Sequence, residues 1–176
     1  KSSAASDVYK RQFSGSQQIL YTIAKRKKEI IIMIEQDTIK LLRECDAGIK
    51  MGVSAIEESL DYVKSDKLKK YLEDSYKEND EVKHELQKLL DDYHDDGKEP
   101  NAMAKGMSWI KTNVKLSVNE SDNAVADLIT DGCNMGIKTL NKYLNQYEAA
   151  DEKSKNLAKK LIKLEEKLRD NIKEFL

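Results

Sequence analysis

Apolar residues recur at alternating spacings of three and four along four long stretches of the chain, which is the period of one face of an α-helix. The strand pattern, in which apolar and polar residues alternate at successive positions, does not occur in these stretches. The first predicted helix covers residues 37–63, with Asp37 as its N-cap. Its inward stripe is Leu42, Asp46, Ile49, Val53, Ile56, Leu60 and Val63.

A second helix is predicted over residues 67–93, after a turn in which Ser65 and Asp66 supply the cap. The segment from Asp95 to Pro100 ends this helix. The inward stripe is Leu68, Leu72, Ser75, Asn79, Val82, Leu86, Leu89 and Tyr93. Three polar residues lie within the two stripes, and they predict a buried hydrogen-bond network that sets helix register: Asp46, Ser75 and Asn79.

Two further long helices are predicted over residues 122–147 and 151–176. The third carries an inward stripe of Val125, Ile129, Gly132, Gly136, Leu140, Tyr143 and Tyr147. In the fourth the stripe is Leu157, Leu161, Leu164, Leu168, Ile172 and Phe175. A short amphipathic helix is predicted over residues 102–116, between the second and third helices, with an apolar face of Met103, Met107, Ile110 and Val114.

The first and third predicted helices contain a repeat. Residues 48–56 recur in register as residues 132–140, with two glycines, a methionine and the apolar positions retained. Gly48 and Gly52 lie one helical turn apart, and so do Gly132 and Gly136. Because a glycine inside a helix costs about 1 kcal/mol relative to alanine, these four glycines predict a close approach of the first and third helices.

The chain therefore divides into two similar helical hairpins, joined by a long connection that carries a helix of its own. Four long helices with one crossover predict an all-α, ferritin-like four-helix bundle rather than a simple up-down-up-down bundle. Residues 33–176 account for all of these elements and are expected to form one domain.

Residues 1–32 are expected to be a non-native leader, either disordered or irregularly helical. The segment from Lys1 to Gln12 resembles a leader that arises as a sequencing or assembly artefact. The codons for Lys28 and Glu29 can form a ribosome-binding sequence at a suitable distance before Met33, which would then be the native start. The alternative is a real N-terminal helix, because three isoleucines have a loosely helical spacing: Ile19, Ile23 and Ile30.

Composition and charge exclude several classes of function. Charged residues make up 36% of the chain, yet the formal net charge is -1, so a nucleic-acid partner is not expected. The two cysteines, Cys45 and Cys133, have neither disulfide nor metal-site spacing, which favours a cytoplasmic location. The longest apolar run, residues 30–34, is much shorter than a membrane span.

Several segments carry a family resemblance: Asp46-Ala47-Gly48, Ala55-Ile56-Glu57, Glu85-Leu86-Gln87, Gly106 to Lys111 and Gly132 to Tyr143. From Thr38 to Lys173 the chain resembles an uncharacterised bacterial family of ferritin-like four-helix-bundle proteins, which implies that fold. Members of the family commonly carry a histidine-arginine pair before the Gly-Trp element, a glutamate after the glycine of the third helix, and a histidine on the fourth. Here those places hold Ala104-Lys105, Cys133 and Arg169, so metal ligands that the resemblance would imply are replaced.

A di-iron carboxylate centre takes a glutamate from each of two helices and a Glu-x-x-His motif from each of the other two. The one literal match, residues 81–84, points away from the core because Val82 lies on the inward stripe. His84 and His94 are therefore predicted to be exposed. The carboxylates that border the core are the remaining metal candidates, namely Glu57, Asp46 and Glu85.

A structural role is the alternative for these carboxylates. Glu165 and Glu85 are interpreted as boundary residues that pair with lysines. For Glu57 and Asp46, both a ligand role and a structural role remain open. The repeat counterpart of Glu57 is Asn141, so the third helix supplies no carboxylate at that depth.

These patterns predict a ferritin-like protein with a degenerate or absent di-iron centre, acting through association as a homo-oligomer, most simply a dimer, or in a stress-related role. The crossover helix offers an apolar surface for association, with Met103, Met107 and Trp109. The alternative is a non-haem iron-binding protein in iron handling or peroxide defence, for which iron would be the cofactor. No catalytic or cofactor-binding residues are assigned, and the sequence identifies no protein partner.

Overall fold

The computed structural model describes residues 15–99 and 122–176, and these residues are helical apart from turns. The four α-helices are α1 (Gly15–Leu60), α2 (Asp66–Asp92), α3 (Asp122–Gln146) and α4 (Glu152–Ile172), and a short 3-10 helix (Lys173–Phe175) follows α4. The predicted all-α, four-helix architecture is therefore confirmed. The predicted helix at residues 102–116 lies outside the described residues.

The cap predicted for the second helix is present, and the fourth helix has a cap that was not predicted. The Ser65 hydroxyl accepts a hydrogen bond from the backbone N–H of Leu68 at the start of α2. The Asp151 carboxylate accepts one from the N–H of Ser154 at the start of α4, at 2.7 Å. Both residues therefore satisfy a backbone donor that the first helical turn leaves unpaired.

The prediction that Asp37 caps the first helix is wrong, because α1 begins at Gly15 and Asp37 lies inside it. The Asp37 carboxylate instead accepts a hydrogen bond from the backbone N–H of Ala149, at 3.2 Å, in the turn between α3 and α4. The neighbouring buried Thr38 accepts one from the N–H of Asp151, at 2.9 Å. Asp37 therefore accepts a hydrogen bond from a backbone N–H in a distant turn and does not cap its own helix.

The N-terminal part of α1 extends beyond the bundle. The side chains of residues 17–33 are exposed, and the first fully buried residue of α1 is Thr38. Packing therefore begins only a few residues after Met33. The native start at Met33 stays a prediction.

Hydrogen bonds at the helix ends fix the directions of the helices. The carboxylate of Asp122, at the start of α3, accepts hydrogen bonds from the N–H groups of Lys64 and Ser65 in the α1–α2 turn. The end of α3 lies beside Asp37, near the opposite end of the bundle. Consequently α3 runs antiparallel to α1 and parallel to α2, and residues 100–121 join opposite ends of the bundle.

The helices follow one another around the bundle in the order α1, α2, α4, α3, as their contacts show. Within residues 15–99 and 122–176, no helix combines the length and hydropathy that a membrane span requires.

A polar layer divides the core into two apolar clusters. One cluster contains Val53, Val82 and Leu161, and the other contains Ile56, Leu72 and Leu168. Between them, α2 contributes the buried Ser75 and Asn79, and α4 contributes Glu165. Ion pairs from Lys160 to Glu85 and from Lys167 to Glu78 set α2 against α4 so that Asn79 and Glu165 have the same height.

Most predicted stripe positions are buried, with local differences. On α3 the inward position is Cys133, which is 2% exposed, whereas Gly132 is half-buried. On α2, Leu90 is fully buried and Leu89 is half-buried. In each case the buried position is one residue away from the predicted one. A spacing of three or four residues locates the inward face of a helix only to within one residue.

Candidate functional site

The carboxylate of Glu165, on α4, lies where α1 and α3 face each other. A side-chain Cβ built on Gly52 of α1 would lie 3.7 Å from its Oε1, and one built on Gly136 of α3 would lie 3.5 Å from the same atom. The side chain therefore occupies space that these two glycines leave free. The residue as a whole is partly buried.

The close approach predicted from the repeated glycines is correct only in part. Gly52 and Gly136 do face one shared space, but the side chain of Glu165 fills it. At Gly48 and Gly132, a Cβ would meet no heavy atom of the described residues within 4 Å. Two of the four glycines therefore have no packing requirement in the part of the chain that the structure describes.

The electrostatics of Glu165 follow from burial. Desolvation raises the pKa of its carboxyl above the ordinary glutamate value, and a hydrogen bond with the Cys133 thiol opposes this rise. The same burial, together with the nearby carboxylate, raises the pKa of Cys133 far above the usual thiol range. Burial therefore acts in the same direction on both groups, against the carboxylate of Glu165 and against the thiolate of Cys133.

Arg169 lies one helical turn after Glu165 on α4 and borders the same site. Its guanidinium donates to Asn134 of α3 and to Asp170, at 3.5 and 3.3 Å. Its positive charge acts on the Cys133 thiol and opposes the rise in the pKa of that thiol, which burial dominates. A cation one helical turn from Glu165 therefore acts on the thiol of the same site.

Glu165 is partly buried, as a boundary residue is, but among the described residues the predicted pairing with a lysine is not found, and the contacts around its carboxylate are glycines and a thiol. The signal that could have found it is an alignment of the two capped helices. When the caps Ser65 and Asp151 are superposed, Glu165 falls on the position of Asn79 within the buried stripe. Both hairpins thus carry a polar residue at the same interior place.

Asp46, one of the predicted metal candidates, is 2% exposed and holds the loop that follows α2. Its Oδ2 accepts a hydrogen bond from the backbone N–H of Lys98 at 2.8 Å and lies 3.0 Å from the ammonium of Lys50. The predicted network of Asp46 with Ser75 and Asn79 does not form, since the Asn79 amide donates within its own helix to Ser75. Asp46 is an anchor for a loop.

The other two metal candidates lie on the surface. Glu57 is exposed, and Glu85 forms a half-exposed ion pair with Lys160 at 2.7 Å. Along the axis of α1, Asp46 and Glu57 are about 16 Å apart at 1.5 Å per residue. The structure therefore does not bring Asp46, Glu57 and Glu85 together.

The two histidines have the exposure that the sequence predicted. The His84 side chain is 72% exposed, and its Nδ1 lies 2.7 Å from the carbonyl oxygen of Asp80. His94 is also exposed and adopts a positive φ just after α2. Among the described residues, no group of three or more histidines, cysteines and carboxylates is placed to hold a metal ion.

The remaining cysteine, Cys45, has a raised thiol pKa for the same main reason as Cys133. Burial raises the pKa of Cys45 to about 12, with the charges of Glu44 and Asp46 adding to the rise. A thiol that stays protonated is a poor nucleophile and a poor metal ligand. The chemistry that the site offers is therefore the holding and release of one proton at Glu165.

Comparison of the chain with protein-family models, with curated proteins and with solved structures finds no match.

Proposed function

We propose that the protein is a ferritin-like bundle without a working di-iron centre, and that it acts through association with a second copy of itself. The helix directions support the ferritin-like part of this proposal. Two antiparallel hairpins are joined by a connection between opposite ends of the bundle, as expected for a bundle with one crossover.

The composition of the interior carries the proposal. At the height of the polar layer, the inward positions hold Gly52, Gly136, Cys133 and Asn79, with Glu165 as the carboxylate among them. A di-iron centre requires carboxylates that converge from all four helices, together with imidazole ligands. Glycine, an amide and a protonated thiol do not replace those ligands.

Iron loading tests the first part of the proposal. After aerobic incubation with ferrous iron and removal of the excess on a chelating resin, we expect much less than one iron per chain, whereas a di-iron centre requires about two. The matched control is the double variant Glu57→Gln/Glu85→Gln, since both side chains are exposed and the fold should be kept. About two irons in the unaltered chain, lost in the double variant, would establish the iron-handling alternative instead.

Association is expected to use the bundle, including the predicted apolar surface of Met103, Met107 and Trp109, which lies outside the described residues. The exposed N-terminal part of α1 offers a competing surface. Of the eleven large apolar residues that are exposed in the described part of the chain, eight lie between Ile19 and Met33. Contiguous exposed apolar surface on a folded protein usually marks a contact, so the two surfaces must be separated by experiment.

Deletion of residues 1–32 is expected to leave both the oligomeric state and the melting temperature unchanged. The side chains of residues 17–33 are exposed, so their loss removes little packing from the bundle. Light scattering coupled to size exclusion should give a dimer for the full chain and for residues 33–176, with melting temperatures within about 2 °C, since 1 kcal/mol shifts a domain of this size by about 2–4 °C.

The other outcomes of the deletion are equally informative. A dimeric full chain and a monomeric residue 33–176 fragment would assign the interface to the extended part of α1 and make residues 1–32 part of the working protein. Monomers in both cases would overturn self-association.

A further inference from the structure

Glu165 is the buried titratable group of this bundle whose surroundings offer two different arrangements. On its inner side are the open faces of Gly52 and Gly136, together with the thiol of Cys133. Arg169 follows four residues later on the same helix, and its side chain is 34% exposed, so the direction toward it is called the outer side. Residues at this spacing on a helix are neighbours, so a rotated Glu165 side chain has a cation within reach that the inner side, among the described residues, does not supply.

We propose that Glu165 is a proton-controlled contact between helices. As the uncharged acid, it fills the space between Gly52 of α1 and Gly136 of α3. When its proton is released to solvent, the carboxylate turns out of this space and pairs with Arg169.

The inner position favours the uncharged form because, among the described residues, burial dominates there and no cation acts on the Glu165 carboxyl. The groups that face Glu165 are Gly52 from α1, and Gly136 and the protonated Cys133 from α3. From α2, the polar layer contains the uncharged Ser75 and Asn79. A carboxylate without an opposite charge is destabilised when it is taken out of water.

The outer position favours the charged form. A glutamate that precedes an arginine by four residues on a helix forms an ion pair in the favourable orientation. Within residues 15–99 and 122–176, the hydrogen bonds of the Arg169 guanidinium are long contacts to Asn134 and to the exposed Asp170. It can therefore accept Glu165 without giving up a short hydrogen bond.

When the Glu165 carboxylate leaves the inner position, the Cys133 thiol would become accessible to reagents in solution. The alkylation rate of Cys133 therefore reports the position of the Glu165 side chain. Cys45 is the matched internal control, since it is also a buried, free thiol but is not among the groups that interact with Glu165. The ratio of the two alkylation rates removes the common effect of pH on thiolate formation, because the thiolate is the reactive species in both.

The experiment measures alkylation of both cysteines by mass spectrometry in the full chain, from about pH 5 to about pH 9, a range above the ordinary glutamate pKa of about 4.3. We expect the ratio of the Cys133 rate to the Cys45 rate to rise at least tenfold. In Glu165→Gln, which keeps the shape but cannot ionise, the ratio should stay constant. In Arg169→Gln, which removes the outer partner, the rise should move to higher pH.

Stability against urea provides a second readout with a defined sign. Because the pKa of Glu165 is raised in the folded state, its contribution is fully present below the unfolded pKa and is lost as pH rises through the folded pKa. The unfolding midpoint of the unaltered chain should fall over that window relative to Glu165→Gln. A constant rate ratio in the unaltered chain would overturn the proposal, and so would an equal rise in Glu165→Gln. A pH profile of Arg169→Gln that matches the unaltered chain would overturn the pairing of Glu165 with Arg169.

Discussion

Leucine in place of Gly136 is expected to lower the free energy of unfolding by about 3 kcal/mol, the upper part of the range for overpacked interiors. A Cβ at this position would lie 3.4 Å from the Cδ of Glu165, which is an ordinary contact, so alanine fits. The further carbons of leucine need the space that Glu165 occupies between α1 and α3. They must displace that side chain or separate the helices.

Gly132→Leu is the matched control for this prediction. Gly132 lies one turn earlier on α3, and a Cβ there meets no heavy atom of the described residues within 4 Å. The higher helix propensity of leucine should therefore make this variant more stable by up to about 1 kcal/mol. Urea denaturation of both variants measures the difference, and equal effects would contradict the role assigned to the shared space at Gly136.

Gly52→Leu should resemble Gly136→Leu, since a Cβ on Gly52 would lie 3.7 Å from the same Glu165 oxygen, on the side of α1. Gly48→Ala should resemble Gly132→Leu, because Gly48 is exposed and has no described neighbour within 4 Å. The repeat in the sequence thus contains two kinds of glycine that the sequence alone does not distinguish. The repetition indicated that the glycines occupy equivalent positions in the fold. Only the position of Glu165 on α4 explains why Gly52 and Gly136 must lack a large side chain and Gly48 and Gly132 need not.

The helices themselves could be predicted because their signals are local. A spacing of three and four identifies an inward face, and Ser65 and Asp151 stand immediately before the helices that they cap. Boundaries of α2, α3 and α4 consequently agree with prediction to within a few residues. The start of α1 was predicted too late in the chain. The N-terminal part of this helix does not pack against the bundle, so it has no regular apolar stripe from which a helix could be predicted.

Residues whose role depends on distant contacts could not be identified in this way. Asp37 has the chemistry of an N-cap, and it does accept a backbone hydrogen bond, but from Ala149 in another turn. Glu165 was interpreted as a boundary residue paired with lysine, because glutamates are usually exposed or paired. Its burial becomes intelligible only when Gly52, Gly136 and Cys133 are brought around it by the tertiary fold.

Asp46 shows the same limit for the candidate metal ligands. Its position on the inward stripe correctly indicated burial, and its 2% exposure agrees with that. The group that it binds is a loop backbone after α2, together with Lys50. Sequence spacing describes positions on one helix, and it contains no information on which loop returns to cover them.

Alanine in place of Asp46 is expected to lower the free energy of unfolding by about 3 kcal/mol, the lower limit for removing one partner of a buried ion pair. The change leaves the backbone N–H of Lys98 and one side of the Lys50 ammonium without an acceptor. It also removes the group against which Gly97 packs, since a Cβ there would lie 2.3 Å from Oδ2. The loop from residue 95 to 99 would lose its attachment to α1.

Two further variants show how much of this loss of stability depends on the charge of Asp46 and how much on its buried position. Asp46→Asn keeps an acceptor for the Lys98 N–H but loses the ion pair, so its loss should be smaller, about 1–2 kcal/mol. Glu85→Ala removes a carboxylate whose ion pair with Lys160 is half-exposed, so it should cost less than about 0.5 kcal/mol. Urea denaturation midpoints at one pH measure all three. If Asp46→Ala were as mild as Glu85→Ala, the loop would be held by its other contacts, the Arg43–Asp95 and Lys98–Glu44 pairs, and Asp46 would not be its anchor.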